Sequence, residues 1–202
     1  MFEIDIFEYM GKRILKILFV ISSMLLYIPV NRLISGGYNL KTDIDSYIPL
    51  LPIFVVPYLF GLVFWLYSIV KINISKDEKL IKEFNITFVL ASILSVIIYV
   101  LIPTFVTRPV VIGNDIFSNI LNLIYSNDHV YNAAPSGHTF YTILSFIGLN
   151  RLIPSKKYIW GILSVLIIVS TVLTKQHNFL DIVIGIVFAL GILFVSKKIV
   201  RV

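Results

Sequence analysis

The 202-residue chain has no cysteine, which excludes disulfide bridges and any zinc site built on thiolates. Charge is scarce: Asp, Glu, Lys and Arg make up 14% of the residues, against roughly 25% in soluble domains. No His-Glu-x-x-His pattern or carboxylate cluster appears, so no metal and no cofactor are expected. Internal repeats of the kind many transporters carry are also missing, and no segment is of low complexity. The formal charge of +6 is spread over several loops, and no nucleic-acid partner is expected. What the chain has in quantity is hydrophobic residues, 58% of the total. They recur in runs long enough to cross a bilayer, about 20 residues each. The expected class is therefore an all-α polytopic membrane protein forming one membrane domain over residues 1–202.

Six transmembrane helices are expected, at about 14–30, 53–70, 84–102, 137–153, 158–174 and 179–196. The first run follows a polar, mixed-charge segment ending in Lys12 and Arg13. It is long for the core of a signal peptide, and no Ala-x-Ala site follows it, so it is read as a retained span. Gly36-Gly37 marks a turn in the first connection. Pro49, Pro52 and Pro57 make the approach to span two irregular, because each removes a backbone donor. In the long 104–135 connection, Asn114-Asp115 is placed to cap a short helix. Its Phe117, Ile120, Leu121 and Ile124 share one face, which suits an interfacial helix or a lid over the spans.

The loops differ in charge. Thirteen of the 17 lysines and arginines fall at the N-terminus, in 71–83, in 151–157 and at the C-terminus. Arg32, Lys41, Arg108 and Lys175 are the four on the opposite side. The positive-inside rule then puts both termini in the cytoplasm of a cell membrane, expected to be bacterial. Three polar islands fall together on the outer face, each at a helix end: Thr107-Arg108-Pro109, Pro135-Ser136-Gly137-His138 and Thr174-Lys175-Gln176-His177 with Asp181.

Taken singly, each island has a plain reading as a helix cap, a snorkelling cation or a structural ion pair. Together they have the chemistry of a phosphate site. His177 and Asp181 lie four apart on one helical face, where a carboxylate fixes the imidazole tautomer. Gly137 lets a ligand approach the N–H groups opening span four, with Ser136 as a hydroxyl donor and His138 in the first turn. Arg108 and Lys175 are the cations near these helix ends. His129 is read as merely exposed. Asp43 and Asp45, with Ile48-Pro49, are read as ordering the first outer loop.

The pattern resembles the type 2 phosphatidic acid phosphatase superfamily, whose motifs are Lys-x6-Arg-Pro, Pro-Ser-Gly-His and Ser-Arg-x5-His-x3-Asp. The second motif is intact at 135–138. The third matches at Ser170, His177 and Asp181, and the first at Arg108-Pro109. Leu101 and Thr171 stand where the family has lysine and arginine. Lys175 is offered as one substitute cation, as in a divergent branch with a Thr-Lys-Gln-His version of the third motif, and Tyr99 as a further donor. The resemblance implies a metal-independent acid phosphatase acting on a lipid phosphate or pyrophosphate at the outer face. Its catalytic residues are then His177 as nucleophile, His138 as acid and base, and Asp181 behind His177. Arg108, Lys175, Ser136 and Gly137 hold the phosphate. The alternative is a headgroup transferase, similar to inositol phosphorylceramide synthases, that passes a phosphoalcohol between lipids. Membrane lipids are the expected surroundings, and oligomeric state is left open.

Overall fold

A computed structural model describes the backbone of residues 2–201 and the side chains of residues 8–200. Helices α1 (Phe2–Leu25) and α2 (Tyr27–Leu33) follow one another almost directly. The break has a local cause: Pro29 offers no N–H to the carbonyl of Leu25, where α1 ends. The helix begins far earlier than residue 14. Arg13, expected in a polar tail, is instead buried and paired with Glu78 and Tyr9.

Between α2 and the next helices the chain forms β1 (Tyr38–Asn39), which pairs in parallel with β2 (Thr104–Phe105). Gly36 and Gly37 both have positive φ. A Cβ on Gly37 would fall 2.0 Å from the Pro103 carbonyl oxygen, so only glycine permits this pairing. The short helix α3 (Asp43–Tyr47) is opened by a capping box of Thr42 and Asp45. A 3-10 turn at Pro52–Phe54 then leads into α4 (Val55–Asn73), so the prolines end up where a missing donor does least harm.

Helix α5 (Glu78–Leu101) is capped by Asp77, whose side chain accepts from Leu80 N at 2.9 Å. The helix expected in the long connection is α6 (Ile116–Asn127), with Asp115 accepting from the N–H groups of Phe117 and Ser118. The Ser118 hydroxyl, which donates to Asp115 Oδ2, and after it these backbone bonds hold the Asp115 carboxyl below its usual pKa. Helices α7 (Gly137–Leu152), α8 (Lys157–Leu173) and α9 (Phe179–Arg201) complete the chain.

The protein is an integral membrane protein, and among the described residues five helical stretches are long and apolar enough to cross a membrane: Glu8–Leu33, Pro52–Asn73, Glu78–Leu101, Pro154–Leu173 and Phe179–Val200. The outer surfaces of these helices carry exposed Leu15, Phe19, Val63, Ile97, Ile162 and Val187, as lipid contact requires. Helix α7 is shorter, 16 residues, or about 24 Å against a hydrocarbon core of about 30 Å. It is nevertheless the centre of the bundle, packed against α4, α5, α8 and α9.

Small residues every third position explain that place. Thr139, Thr142, Ser145 and Gly148 form a stripe that lets neighbouring backbones come close. Thr142 accepts from Trp65 Nε1 at 2.9 Å, Ser145 pairs with Ser68 at 2.8 Å, and Gly148 abuts Ile72 and Phe84. Tyr141 pairs with Ser92, which accepts from Ser23 in turn, so α1, α5 and α7 share one buried polar chain. At the end of the bundle away from the polar islands, Asn73 bonds Asn85 and Arg151 pairs with Glu83.

Candidate active site

Helix α7 begins in the bundle interior because the loop before it is pulled in by hydrogen bonds. Tyr99 donates its hydroxyl to the Pro135 carbonyl at 2.7 Å, and Ser136 N donates to the Asp181 carbonyl at 3.1 Å. Ser136 Oγ accepts from Thr139 N at 3.3 Å and from the Thr139 hydroxyl at 3.1 Å, as an N-cap. The Gly137 and His138 N–H groups in the first turn have no intrahelical partners. A Cβ on Gly137 would meet nothing nearer than the Tyr99 hydroxyl at 3.9 Å. Packing does not demand glycine there; its bareness leaves the cavity side of the turn open.

The His138 ring stacks on Tyr58, centroids 4.1 Å apart, and stands edge-on to Trp65 at 4.8 Å. Gly61 makes room for it, since a Cβ there would sit 3.3 Å from His138 Cδ2. On the facing side His177 lies with its ring centre 6.2 Å from that of His138. Its Nδ1 is 3.7 Å from Asp181 Oδ2, too far for a hydrogen bond but close enough for charge to matter. Asp181 Oδ2 accepts from Asn178 N at 2.7 Å, closing the first turn of α9, while Oδ1 has no partner.

Arg108 is held over this pair. Its guanidinium donates to the Asp128 carbonyl at 2.6 Å and to Gln176 Oε1 at 2.5 Å, and lies over the Tyr125 ring at 4.8 Å. Burial pushes the Tyr125 phenol up to about 12, against the opposing pull of Arg108, so it remains a donor to the Thr174 carbonyl. His138 Nε2, His177 Nδ1, Asp181 Oδ1, Arg108 Nε, Gln176 Nε2 and both amide atoms of Asn132 are buried without partners. Unpaired buried polar atoms are costly and rare. Their gathering in one place marks a site for a polar ligand.

That polar group heads a cavity of about 520 Å³. Tyr58, Leu59, Leu62, Trp65, Leu66 and Ile69 line it along one face of α4, a span of roughly 16 Å. Leu62 and Leu25, on facing helices, are each 53% exposed while lining the cavity. The cavity therefore opens sideways, between α1 and α4, onto the apolar surface.

The structure brings His138, His177, Arg108, Gly137 and Tyr99 to this cavity, with Asp181 directly behind His177. It does not bring Lys175 there. With φ at +52°, Lys175 turns outward and donates to the carbonyls of Asp45 at 3.0 Å and Ile48 at 2.6 Å. Loss of hydration lowers its pKa, with the Asp45 charge opposing. Ser136 serves as the cap of α7, and the Tyr99 hydroxyl is taken by Pro135. His129, read as merely exposed, lines the cavity and accepts from Arg108 through its carbonyl. Asn132, with φ at +61°, and Gln176 were given no role from the sequence. Their only signal there was position: each is an amide beside a motif in an apolar chain. Among the described residues, no three His, Asp or Glu side chains are grouped so as to hold a metal.

Fold and site together define a helical integral membrane protein with two histidines, backed by a carboxylate and an arginine, at the head of an apolar cavity. The family comparison agrees with that description. Residues 44–195 match the PAP2 superfamily, from α3 through most of α9, and the chain belongs to that superfamily. Searches of curated proteins and of solved structures found no match. Membership implies a phosphatase-like activity on phosphate monoesters, and enzymes of this superfamily are typically metal-independent phosphatases.

Proposed function

We propose that the protein is a membrane-embedded phosphatase that removes phosphate from a lipid phosphomonoester or pyrophosphate at the outer membrane face. The observation that carries the lipid is the cavity: phosphate-competent groups at one end, apolar walls beyond, and a sideways opening toward the bilayer. In this reading α7 is a sixth, recessed span, both termini are cytoplasmic, and the third motif belongs to a divergent branch.

His177 attacks phosphorus through the ring nitrogen turned away from Asp181. The new N–P bond forms as the P–O bond to the lipid breaks, and His138 gives its proton to the departing alkoxide. Water then enters, loses a proton to His138 and attacks phosphorus. The N–P bond breaks and inorganic phosphate leaves. Arg108 and the Gly137 and His138 N–H groups stabilise charge on the phosphoryl oxygens. The ring separation suits one tetrahedral phosphoryl group between the histidines.

The second reading, transfer of a phosphoalcohol headgroup to an alcohol, is favoured by one feature. The unpartnered Asn132 amide offers both a donor and an acceptor to a hydroxyl at the cavity. Purified protein in detergent, given lipid phosphates, pyrophosphates and phosphodiesters with and without acceptor alcohols, separates the two. Release of inorganic phosphate through a base-stable phosphoenzyme supports the phosphatase; transfer only to an alcohol supports the transferase. Wild-type turnover in His177→Ala defeats both.

A further inference from the structure

The turn that carries His177 is held from outside by the first outer loop, across more than a hundred residues of sequence. Asp45 is the centre of that hold. Its Oδ1 accepts from Phe179 N at 2.7 Å, and its Oδ2 accepts from Thr42 N at 2.8 Å and the Thr42 hydroxyl at 2.9 Å. Its carbonyl, with that of Ile48, receives the Lys175 ammonium. Leu51 N donates to the Leu173 carbonyl at 2.8 Å, and Asn178 Nδ2 to Asn39 Oδ1 at 3.2 Å. His177 sits between the two residues that Asp45 holds, its own N–H donating to the Thr171 carbonyl at 3.1 Å.

The consequence reaches Asp181. The first N–H groups of α9 need acceptors from outside the helix. Asp181 supplies one, for Asn178, and Asp45 supplies the next, for Phe179. Without Asp45 the Phe179 N–H is left to compete for the Asp181 carboxylate, whose Oδ2 lies 3.7 Å from His177 Nδ1. Asp45 is 7% exposed and its carboxylate lies at the positive end of α9, where negative charge is favoured.

We infer that Asp45 is a positioning residue for catalysis. It fixes the His177 turn at both ends and keeps the Asp181 carboxylate free for the imidazole. The inference rests on His177 being the nucleophile of the proposed reaction. It also gives Lys175 its role, as a strut of the same clamp rather than a phosphate ligand.

The test compares Asp45→Ala, Asp45→Asn and the exposed-neighbour control Asp43→Asn in purified, monodisperse protein. Turnover of a lipid phosphate is measured alongside the rate at which diethyl pyrocarbonate modifies His177, followed by mass spectrometry. The expected result for Asp45→Ala is a kcat reduced by about 10- to 100-fold, the scale of a small misplacement of a reacting group. KM stays within about twofold and the His177 modification rate changes. Asp45→Asn, which keeps an acceptor for Phe179 N, recovers most of kcat, and Asp43→Asn matches the wild type. Wild-type kcat and an unchanged modification rate in folded Asp45→Ala overturn the inference. If Asp45→Ala does not fold, Thr42→Val decides, because it removes the hydroxyl that holds the Asp45 carboxylate in place: a lower kcat at constant KM supports the clamp, and wild-type values with unchanged modification overturn it. If the wild type itself turns over no phosphate ester, the proposed function fails, and an unchanged modification rate then independently sinks the clamp.

Discussion

Two histidines asked to do opposite things set the behaviour of the site at the residue scale. In the proposed reaction His177 must arrive unprotonated to attack, while His138 must arrive protonated to release the alkoxide. The rate of turnover is therefore expected to be bell-shaped in pH, and a rate flat from acid to alkaline conditions would exclude the two-histidine scheme. His177→Ala is expected to abolish the phosphoenzyme. His138→Ala slows its formation most for poor leaving groups, and rates across phosphates of graded leaving ability check this. Arg108 and Lys175 are expected to part company. Arg108→Lys loses the planar fork that spans Asp128 and Gln176, and kcat/KM is expected to drop by about 100-fold. Lys175→Met removes a strut, so it lowers the unfolding temperature in detergent and leaves KM for the lipid phosphate within about twofold. The motif residues His138, His177, Asp181 and Arg108 were legible because type and spacing carry their chemistry. Lys175 was not, because its direction depends on a positive φ and on carbonyls in a loop 127 and 130 residues away. Asn132 and Gln176 escaped because an amide has no spacing rule to give it away.

Close approach between helices sets the geometry of the site at the element scale, and glycines in α7 and α9 permit it. A Cβ on Gly185 would fall 2.9 Å from Thr139 Cβ and 3.1 Å from the Ser136 carbonyl oxygen, neither of which can swing away. Gly185→Ala is thus expected to push the start of α7 from α9, and His138 from His177, lowering kcat by about tenfold or more. A Cβ on Gly148 would meet Ile72 and the Phe84 ring at 2.6–2.8 Å. Gly148→Ala is expected to destabilise the bundle by about 1–3 kcal/mol, as overpacking does. Gly191 meets nothing within 4 Å, and Gly191→Ala should leave activity unchanged and raise stability by up to about 1 kcal/mol. Thermal unfolding in detergent, with activity on the same samples, separates the three. The helices themselves were readable from long apolar runs and from caps such as Asp115. The β1–β2 pairing was not, because two residues give no periodicity, and neither was the helical start of α1, where mixed charge hid Arg13 among the polar residues.

Depth and access matter at the scale of the whole molecule. The polar site lies at the start of a helix about 6 Å shorter than the hydrocarbon core, and its cavity continues along α4 for roughly half the thickness of that core. One leaflet has the same depth, so a lipid entering sideways between α1 and α4 can keep its tail in apolar surroundings while its phosphate meets the histidines. For substrates kept below their micelle concentration, kcat/KM is expected to rise with each added methylene. The upper bound is about 0.8 kcal/mol per group, or about fourfold. The rise should level off once the tail reaches roughly 16 Å, the stretch of α4 from Tyr58 to Ile69. Leu62 lines the cavity beside its sideways opening, so Leu62→Trp should narrow the passage and lower the ratio of long-tail to short-tail turnover by about tenfold or more. A chain-length profile that keeps climbing past the cavity depth, and is the same in Leu62→Trp, would mean that the tail stays in the surrounding bilayer and the cavity serves only the headgroup.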